Sequence, residues 1–240
     1  MAAGRRRQGG GRNIATRLRA GKGRSQSSRR WLERQLGDPY VAAAEREGWR
    51  SRAAFKLIDL DDRFRLLAPG RRVVDLGAAP GGWTQVAAER VRAGQAGGGR
   101  VVAIDLRPMD AVSGATVLEA DALDPETPAL ALEALGGAAD VVLSDMAAPA
   151  TGHKATDHLR VMALCEIALA FAEDALAPGG AFVCKVLKGG SESALLAAVK
   201  RAFATVRHAK PAASRPDSAE VYLVATGFRG RMRDDEEDEA

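Results

Sequence analysis

Residues 75–83 read DLGAAPGGW, a glycine-rich turn between an apolar run and a segment with helical spacing. The run before it, RVVDL at 72–76, is typical of a buried strand, and the apolar residues of WTQVAAERV at 83–91 recur at helical intervals. A second apolar run, VVAID at 101–105, completes a strand-helix-strand unit. This arrangement predicts an α/β fold whose ligand binds at the carboxyl ends of the strands.

The rest of the chain repeats the alternation of strands and helices. Further β-branched runs lie at 116–118, 140–144, 181–186 and 221–226, and helical stretches at 51–66, 158–176 and 193–203. We therefore expect a doubly wound, mostly parallel sheet flanked by helices. One domain over 29–228 accounts for the pattern, with a basic, disordered arm at 1–28 and an acidic, disordered tail at 229–240.

The charge of the chain is concentrated at its two ends. The net charge is only +4, but residues 1–34 carry eleven Lys and Arg side chains against one acid, and 234–239 are all acidic. The basic segment is either a solvated tail or an arm that binds nucleic acid by neutralising phosphates. A mitochondrial transit peptide fits poorly, because Ile14 and Leu18 are the only large apolar residues between positions 3 and 20.

Composition also argues against several classes of protein. No uninterrupted apolar stretch approaches the ~20 residues needed to cross a bilayer, and no secretory signal is visible, so we expect a soluble, cytoplasmic protein. Cys165 and Cys184 are too few for a disulfide framework and lie in no metal-binding spacing. They are expected to be ordinary core residues, and no metal is expected.

The glycine turn itself favours a cationic ligand over a dinucleotide. The GxGxxG pattern of dinucleotide-dependent oxidoreductases is absent, since the spacing here is Gly77 followed by Gly81-Gly82. No basic residue lies within 75–89 to meet a pyrophosphate, whereas Asp75 adds negative charge. S-adenosylmethionine carries a sulfonium and an ammonium group, so an acidic, glycine-lined turn suits it better than NAD.

Carboxylates at two later strand ends extend the expected cofactor site. Asp105 ends the second strand, where a carboxylate usually accepts hydrogen bonds from ribose hydroxyls, and Asp121 follows the third strand, in a position to bind the adenine amino group. Taken alone, each aspartate fits a solvated turn at a strand end as well as it fits a ligand site. Because both come after the glycine turn at successive strand ends, we favour the ligand site. The expected cofactor-binding residues are Asp75, Gly77, Gly81, Gly82, Trp83, Asp105, Asp121 and Asp145.

Several motifs in the same order resemble those of a known family. They are SRAAFKLIDLDDRF at 51–64, DLGAAPGGW at 75–83, IDLRPMD at 104–110, SDMA at 144–147 and SRPDSAEVYLVATGF at 214–228. Over roughly residues 28–228 the chain resembles the FtsJ/RrmJ-type RNA 2′-O-methyltransferases. The resemblance implies a Rossmann-like class I methyltransferase fold with about seven strands, S-adenosylmethionine as the methyl donor, no metal, and RNA as the substrate.

The resemblance also implies a catalytic tetrad. The family's Lys-Asp-Lys-Glu set has its counterparts in Lys56, Asp145, Lys185 and Glu220, with Lys185 as the proton acceptor and the other three as its supporting network. Lys185 is unusual without the family, because it interrupts an apolar strand and needs a carboxylate partner or a functional reason. A plain ion pair with Asp145 is the structural alternative. Proton acceptance requires a neutral amine, which burial and Lys56 favour and the two carboxylates oppose.

The substrate implied by the resemblance is a uridine ribose in large-subunit (23S) ribosomal RNA, on the assembled 50S subunit. Nothing in the sequence requires more than a monomer, and the charge of the segment 1–34 leads us to expect that it contacts the RNA backbone. A tRNA anticodon-loop 2′-O-methyltransferase is the alternative, because the tetrad recognises a ribose hydroxyl rather than a particular RNA. A non-catalytic ribosome-assembly protein that binds RNA is the third hypothesis. The chain departs from the family after SDMA, where Ala148-Pro149-Ala150 replaces the usual Pro-Asn.

Overall fold

The computed structural model describes residues 37–149, 151–188, 193–215 and 217–230. The predicted arm, and the predicted tail beyond Gly230, lie outside the described residues. The strands are β1 (Arg72–Leu76), β2 (Arg100–Asp105), β3 (Ala115–Glu119), β4 (Ala139–Ser144), β5 (Leu176–Leu187), β6 (Phe203–Ala209) and β7 (Glu220–Phe228). The helices are α1 (Pro39–Glu47), α2 (Ala54–Phe64), α3 (Gly82–Val91), α4 (Thr127–Leu135), α5 (Lys154–Ala175) and α6 (Ser193–Ala202).

The strands of this part of the chain form one sheet in the order β3-β2-β1-β4-β5-β7-β6. β1 pairs in parallel with β2 on one side and with β4 on the other. The chain therefore reverses its direction of winding between these strands, and their carboxyl ends form the crevice in which ligands of such sheets bind. β7 is antiparallel to both of its neighbours. The prediction of a doubly wound, mostly parallel sheet is confirmed.

Helices cover both faces of the sheet, which explains why its central strands read as continuous apolar runs. Val73 and Val74 are adjacent in β1 but point to opposite faces, and each belongs to a separate core cluster. The cluster on the Val73 face includes residues of α2 and α3, whereas the cluster on the Val74 face includes residues of α4, α5 and α6. The helices thus fix the sheet from both sides and leave its carboxyl edge accessible.

Three elements of the described residues were not predicted from the sequence, α1, α4 and β6. β6 is an edge strand in which only Phe203 and Ala209 are buried, so its sequence lacks the apolar run that marks an inner strand. α1 is short, and it begins with Asp38 as the N-cap, whose side chain accepts a hydrogen bond from the backbone N–H of Tyr40 at 3.1 Å. β5 also extends further toward its N-terminus than its apolar run indicated.

Candidate active site

The turn between β1 and α3 depends on its glycines. Gly77 and Gly81 adopt φ angles of 73° and 108°, which other residues rarely adopt. A Cβ atom at Gly77 would lie 2.6 Å from Cγ and 3.0 Å from Cα of Met146, the residue that follows Asp145. A Cβ atom at Gly82 would overlap the hydroxyl of Ser51. Glycine is therefore required here both for the backbone conformation and for the close approach of neighbouring segments.

A cavity of about 760 Å³ opens at the carboxyl edge of the sheet beside this turn. Five of the predicted site residues line it, namely Gly77, Asp105, Asp121, Asp145 and Lys185. Its apolar lining includes Ile104, Leu106, Leu123, Leu164 and Ile167. Apolar walls with a few convergent polar groups are typical of small-molecule sites, and the volume suits a nucleoside-sized ligand. The lining holds the carboxylates of Asp105, Asp121 and Asp145, and the basic side chains of Arg52, Arg107 and Lys185 line it as well.

Asp105 and Asp121 occupy the ends of β2 and β3, as predicted. Asp105 accepts a hydrogen bond from the backbone N–H of Ala79 at 2.9 Å through Oδ2 and from that of Arg107 at 2.9 Å through Oδ1. It thereby ties the glycine turn to the end of β2. Asp121 accepts a hydrogen bond from the backbone N–H of Leu123 at 2.9 Å. Both carboxylates thus reach the cavity from turns that their own hydrogen bonds stabilise.

Asp75 lies beneath the cavity rather than in its lining. Its Oδ2 accepts a hydrogen bond from the Thr84 hydroxyl at 2.7 Å, and its buried Oδ1 has no hydrogen-bond partner within the described part of the chain. Burial raises the pKa of Asp75 to about 7, against the lowering effect of the Thr84 hydrogen bond and with a further increase from Asp145 and Asp105. Asp75 is therefore a polar group that lacks its full complement of partners directly below the glycine turn.

The other predicted cofactor residues shape the turn without lining the cavity. Gly81 is the N-cap of α3, and Gly82 is its first residue. Trp83 is buried, donates its indole N–H to the carbonyl of Ala53 at 2.8 Å and packs against the ring of Tyr222 at a centroid distance of 5.6 Å. The side chain of Trp83 thus connects α3 to the N-terminus of α2 and to β7.

The four residues of the predicted tetrad lie together as two ion pairs. Nζ of Lys185 is 3.2 Å from Oδ1 of Asp145 and donates a hydrogen bond to the Asp145 carbonyl oxygen at 2.7 Å. Nζ of Lys56 is 2.7 Å from Oε1 of Glu220. The lysine side chains are only 8% and 9% exposed, for Lys185 and Lys56 respectively. Removal of either carboxylate would leave a nearly buried positive charge without its partner.

Tyr222 joins the two ion pairs and was not predicted from the sequence. Its hydroxyl donates a hydrogen bond to Oδ1 of Asp145 at 2.7 Å and accepts one from Nζ of Lys56 at 3.2 Å. Alternation along β7 gives a signal that could have found it, because Tyr222 lies two residues after Glu220 and so shares its face of the sheet. The strand register also pairs Tyr222 with Lys185.

The ionisation of this cluster follows from its contacts. Burial alone would raise the pKa of Asp145, but Lys185, Lys56 and the hydrogen bond from Tyr222 hold it below its ordinary value. Burial and the carboxylates of Asp145 and Glu220 raise the pKa of the Tyr222 hydroxyl well above its ordinary value. Asp145 is therefore an ionised acceptor and Tyr222 a neutral donor near pH 7.

Other expectations concern metal, thiols and membrane. Among the described residues no group of three or more His, Cys, Asp or Glu side chains is close enough to hold a metal ion. Cys165 and Cys184 are buried free thiols that contact the carbonyl oxygen of Lys185. Within the same ranges, no helix combines the length and the apolar character that a membrane span requires.

The sheet order and the glycine turn are those of a Rossmann-like class I methyltransferase fold. Comparison with known proteins specifies the family, because residues 49–228 match the model of the FtsJ-like methyltransferases. The chain belongs to this family.

Relatives with a high identity cover almost the whole chain. The chain is 60% identical over 221 residues to ribosomal RNA large subunit methyltransferase E of Rhodospirillum rubrum. The aligned residues cover 92% of this chain and 84% of the relative. It is 58% identical to the protein of the same name from Azorhizobium caulinodans, with 95% and 96% of the two chains covered.

Two solved structures resemble the fold. A Plasmodium falciparum protein described as a ribosomal RNA methyltransferase superposes with a TM-score of 0.67 at 30% identity, covering 76% of this chain and all of that chain. A Streptococcus thermophilus protein described as a hemolysin superposes with a TM-score of 0.53 at 16% identity, covering 76% of this chain and 69% of that chain. The second likeness concerns the fold alone.

Proposed function

We propose that the protein transfers the methyl group of S-adenosylmethionine to the 2′-hydroxyl of a uridine in large-subunit (23S) ribosomal RNA, on the assembled 50S subunit. The names of the two bacterial relatives support ribosomal RNA as the substrate. The observation that carries the proposed chemistry is the position of Lys185, whose side chain is nearly buried, lines the cavity and contacts Asp145.

The residues of the cavity fit the proposed methyl donor. S-adenosylmethionine, when bound, supplies a methyl group on a sulfonium, and its departure leaves a neutral thioether. Asp105 and Asp121 would hold the ribose hydroxyls and the adenine amino group, because both carboxylates line the cavity at strand ends. The negative charge of Asp145, which lines the cavity, suits the positive charges of the ligand.

The proposed reaction requires a proton acceptor, and Lys185 is placed to be one. A C–O bond forms between the ribose oxygen and the methyl carbon, the C–S bond breaks, and the hydroxyl proton passes to the amine of Lys185. A neutral amine has two N–H bonds and one lone pair. The carbonyl oxygen and Oδ1 of Asp145 accept both hydrogens, so the lone pair is left for the substrate proton.

The ion pair between Lys56 on α2 and Glu220 on β7 supports this arrangement. Lys56 and Glu220 pair at 2.7 Å, so the second pair of charges balances itself beside Lys185 and Asp145. Tyr222 connects both halves by hydrogen bonds to Asp145 and Lys56. The group therefore has few alternative arrangements, and orientation of the amine is what catalysis of this transfer needs most.

We further propose that the enzyme works as a monomer in the cytoplasm, with residues 1–34 contacting the RNA backbone. Their eleven basic side chains support this role, because each phosphate neutralised adds affinity without sequence preference. We also propose the domain boundaries at 29–228, because the alternation of strands and helices in the sequence falls within them.

A methylation assay with three RNA substrates tests the proposal. Large ribosomal subunits that lack the modification, naked large-subunit RNA and tRNA are each incubated with labelled S-adenosylmethionine, and the labelled nucleotide is mapped. We expect label on a uridine ribose of the assembled subunit. Label on tRNA alone would establish the anticodon-loop alternative, and cofactor binding without label on any RNA would establish the non-catalytic one.

The role of Lys185 is tested in the same assay. Lys185→Met keeps the apolar part of the side chain and removes the amine, so we expect methyl transfer to fall by about 10²-fold or more. Affinity for S-adenosylmethionine should change little. Lys200→Met, at an exposed lysine of α6, is the matched control. Normal turnover by the Lys185→Met variant would remove Lys185 from the role of base.

A further inference from the structure

We propose that Ser214 is a positioning residue for Glu220 and, through it, for Lys56. The inference rests on the proposed function, because it takes the two ion pairs as the site of methyl transfer. Ser214 lies in the loop between β6 and β7, outside the tetrad. Nothing in its residue type indicates such a role from sequence, since a serine in a loop is most often solvated.

The contacts of Ser214 are those of a buried donor. The residue is only 5% exposed, and its hydroxyl donates a hydrogen bond to Oε1 of Glu220 at 3.1 Å. The same oxygen lies 2.7 Å from Nζ of Lys56 and 3.4 Å from the hydroxyl of Tyr222. Two donors on separate elements, Ser214 on the loop and Lys56 on α2, therefore converge on one carboxylate oxygen, and the Tyr222 hydroxyl, whose proton is donated to Asp145, lies beside it.

Glu220 needs such a restraint because of its place in the fold. It is the first residue of β7, so no earlier residue of the strand lies beside its side chain to confine it. A glutamate side chain also has three rotatable bonds, so an ion pair with Lys56 alone permits several geometries. The Ser214 hydroxyl is uncharged and short, and it restricts the position of Oε1 without altering the charge of the cluster.

The loop that carries Ser214 is itself fixed to the helices that precede the sheet. Arg52 donates a hydrogen bond to the carbonyl of Ala213 and forms a 2.9 Å ion pair with the buried Asp38. Arg215 also contacts Asp38, at 3.4 Å.

A further contact joins the loop to the helix that bears Lys56. The backbone N–H of Ala212 donates a hydrogen bond at 3.2 Å to Asp59 of α2. Ser214 and Lys56 are therefore held in relation to the same helix, so the hydroxyl and the ammonium approach the Glu220 carboxylate from positions that this helix relates. The hydroxyl consequently sets where the negative charge of Glu220 lies relative to Lys56.

The experiment measures kcat and KM for methylation of large subunits by Ser214→Ala. We expect kcat to fall on the order of ten-fold, because a misplaced catalytic group lowers the rate of the bound complex. KM for the subunit and Kd for S-adenosylmethionine should stay within about two-fold, because Ser214 is buried and does not line the cavity. Ser218→Ala is the matched control, since Ser218 lies in the same loop and contacts the backbone N–H of Glu220 rather than its carboxylate.

Two further comparisons separate positioning from simple loop stability. Ser214→Thr and Ser214→Val have the same shape and differ only in the hydroxyl, so we expect the threonine variant to be the more active. In a Glu220→Ala background, Ser214→Ala should add no further loss, because the carboxylate through which it acts is gone.

The outcomes are distinct for the two proposals. Absence of methylation by the wild-type enzyme would overturn the proposed function itself. If the wild-type enzyme is active, three results would overturn the positioning role of Ser214. They are an unchanged kcat for Ser214→Ala, an equal loss of kcat for Ser218→Ala, and equal kcat values for the threonine and valine variants. A full additional loss in the Glu220→Ala background would overturn it as well.

Discussion

The hydroxyl of Tyr222 donates a hydrogen bond of 2.7 Å to Oδ1 of Asp145, the same oxygen that lies 3.2 Å from Nζ of Lys185. The tyrosine thereby satisfies Asp145 from one side while the lysine approaches from the other. Because Tyr222 is neutral, it adds a donor to the cluster without adding a charge. The two ion pairs thus become one connected network.

Tyr222→Phe is expected to slow methyl transfer by about three- to ten-fold, the effect of losing roughly one ordinary hydrogen bond of about 1 kcal/mol. The ring remains packed against Trp83, and both ion pairs survive, so the loss stays far below that of Lys185→Met. Single-turnover rates with large subunits measure the effect. Tyr40→Phe removes a hydroxyl outside the cluster and serves as the control. A rate equal to that of the wild type would contradict the proposed connection.

Asp75→Asn is expected to change how stability depends on pH. The pKa of Asp75 is about 7 in the folded protein and 3.8 in the unfolded chain, so the unfolded chain loses this proton first as the pH rises. The wild type therefore loses free energy of unfolding between about pH 4 and pH 7, by an amount on the order of 4 kcal/mol. The asparagine variant lacks this contribution.

The difference between the two proteins is the quantity to measure. Urea unfolding at several values between about pH 5 and pH 8 should show the Asp75→Asn variant gaining stability relative to the wild type as the pH rises, and levelling off above about pH 7. Asp217→Asn, at an exposed position, controls for the change of charge. A difference that stays constant across this range would show that Asp75 does not titrate there.

Arg50→Ala is expected to weaken the affinity for S-adenosylmethionine by about ten-fold. The Arg50 guanidinium donates hydrogen bonds to the carbonyls of Pro80, Asp110 and Ala111, at 3.3, 2.7 and 2.6 Å. It therefore ties the glycine turn to the loop after β2, and both border the cavity. Calorimetric titration measures Kd, with Arg46→Ala as the exposed control. An unchanged Kd would mean that the two loops keep their positions without Arg50.

Deletion of residues 1–28 is expected to weaken RNA binding and to flatten its dependence on salt. The segment holds eight basic and no acidic side chains, and each phosphate that it no longer neutralises reduces the slope of log K against log salt by about one unit or slightly less. Fluorescence anisotropy with a large-subunit RNA fragment at several salt concentrations measures the slope. The affinity for S-adenosylmethionine is the internal control. An identical salt slope would make the segment a tail without a role in binding RNA.

The sequence predicted those parts of the fold that carry a local pattern. The inner strands show continuous apolar runs, and the turn at 75–83 carries glycines at the two positions where φ is positive, Gly77 and Gly81, so both could be identified. β6 could not, because an edge strand that buries only its two ends has no periodic signal. The four residues of the tetrad were predicted through the resemblance of their motifs, and the structure brings them together.

Long-range contacts account for what the sequence did not indicate. Tyr222 and Ser214 acquire their places only when β7 pairs with β5 and when the loop before β7 packs against α2. Alternation along β7 could have indicated Tyr222, but nothing in the local sequence indicates Ser214. Trp83 is the opposite case, because it was expected to contact the cofactor as the residue that follows the glycine turn. The helix that begins at Gly82 instead turns its ring toward Tyr222.

The insertion of β7 between β5 and β6 has a consequence for how the protein is made. The carboxylates Asp105, Asp121 and Asp145 all belong to the N-terminal two thirds of the chain, and the strands that carry them pair in parallel as synthesis proceeds. Glu220 and Tyr222 emerge last, on the strand that completes the sheet. A nascent chain that has not yet placed this strand has its ligand crevice but neither acceptor for Lys56. The connected network of both ion pairs is therefore complete only when β7 has joined the sheet.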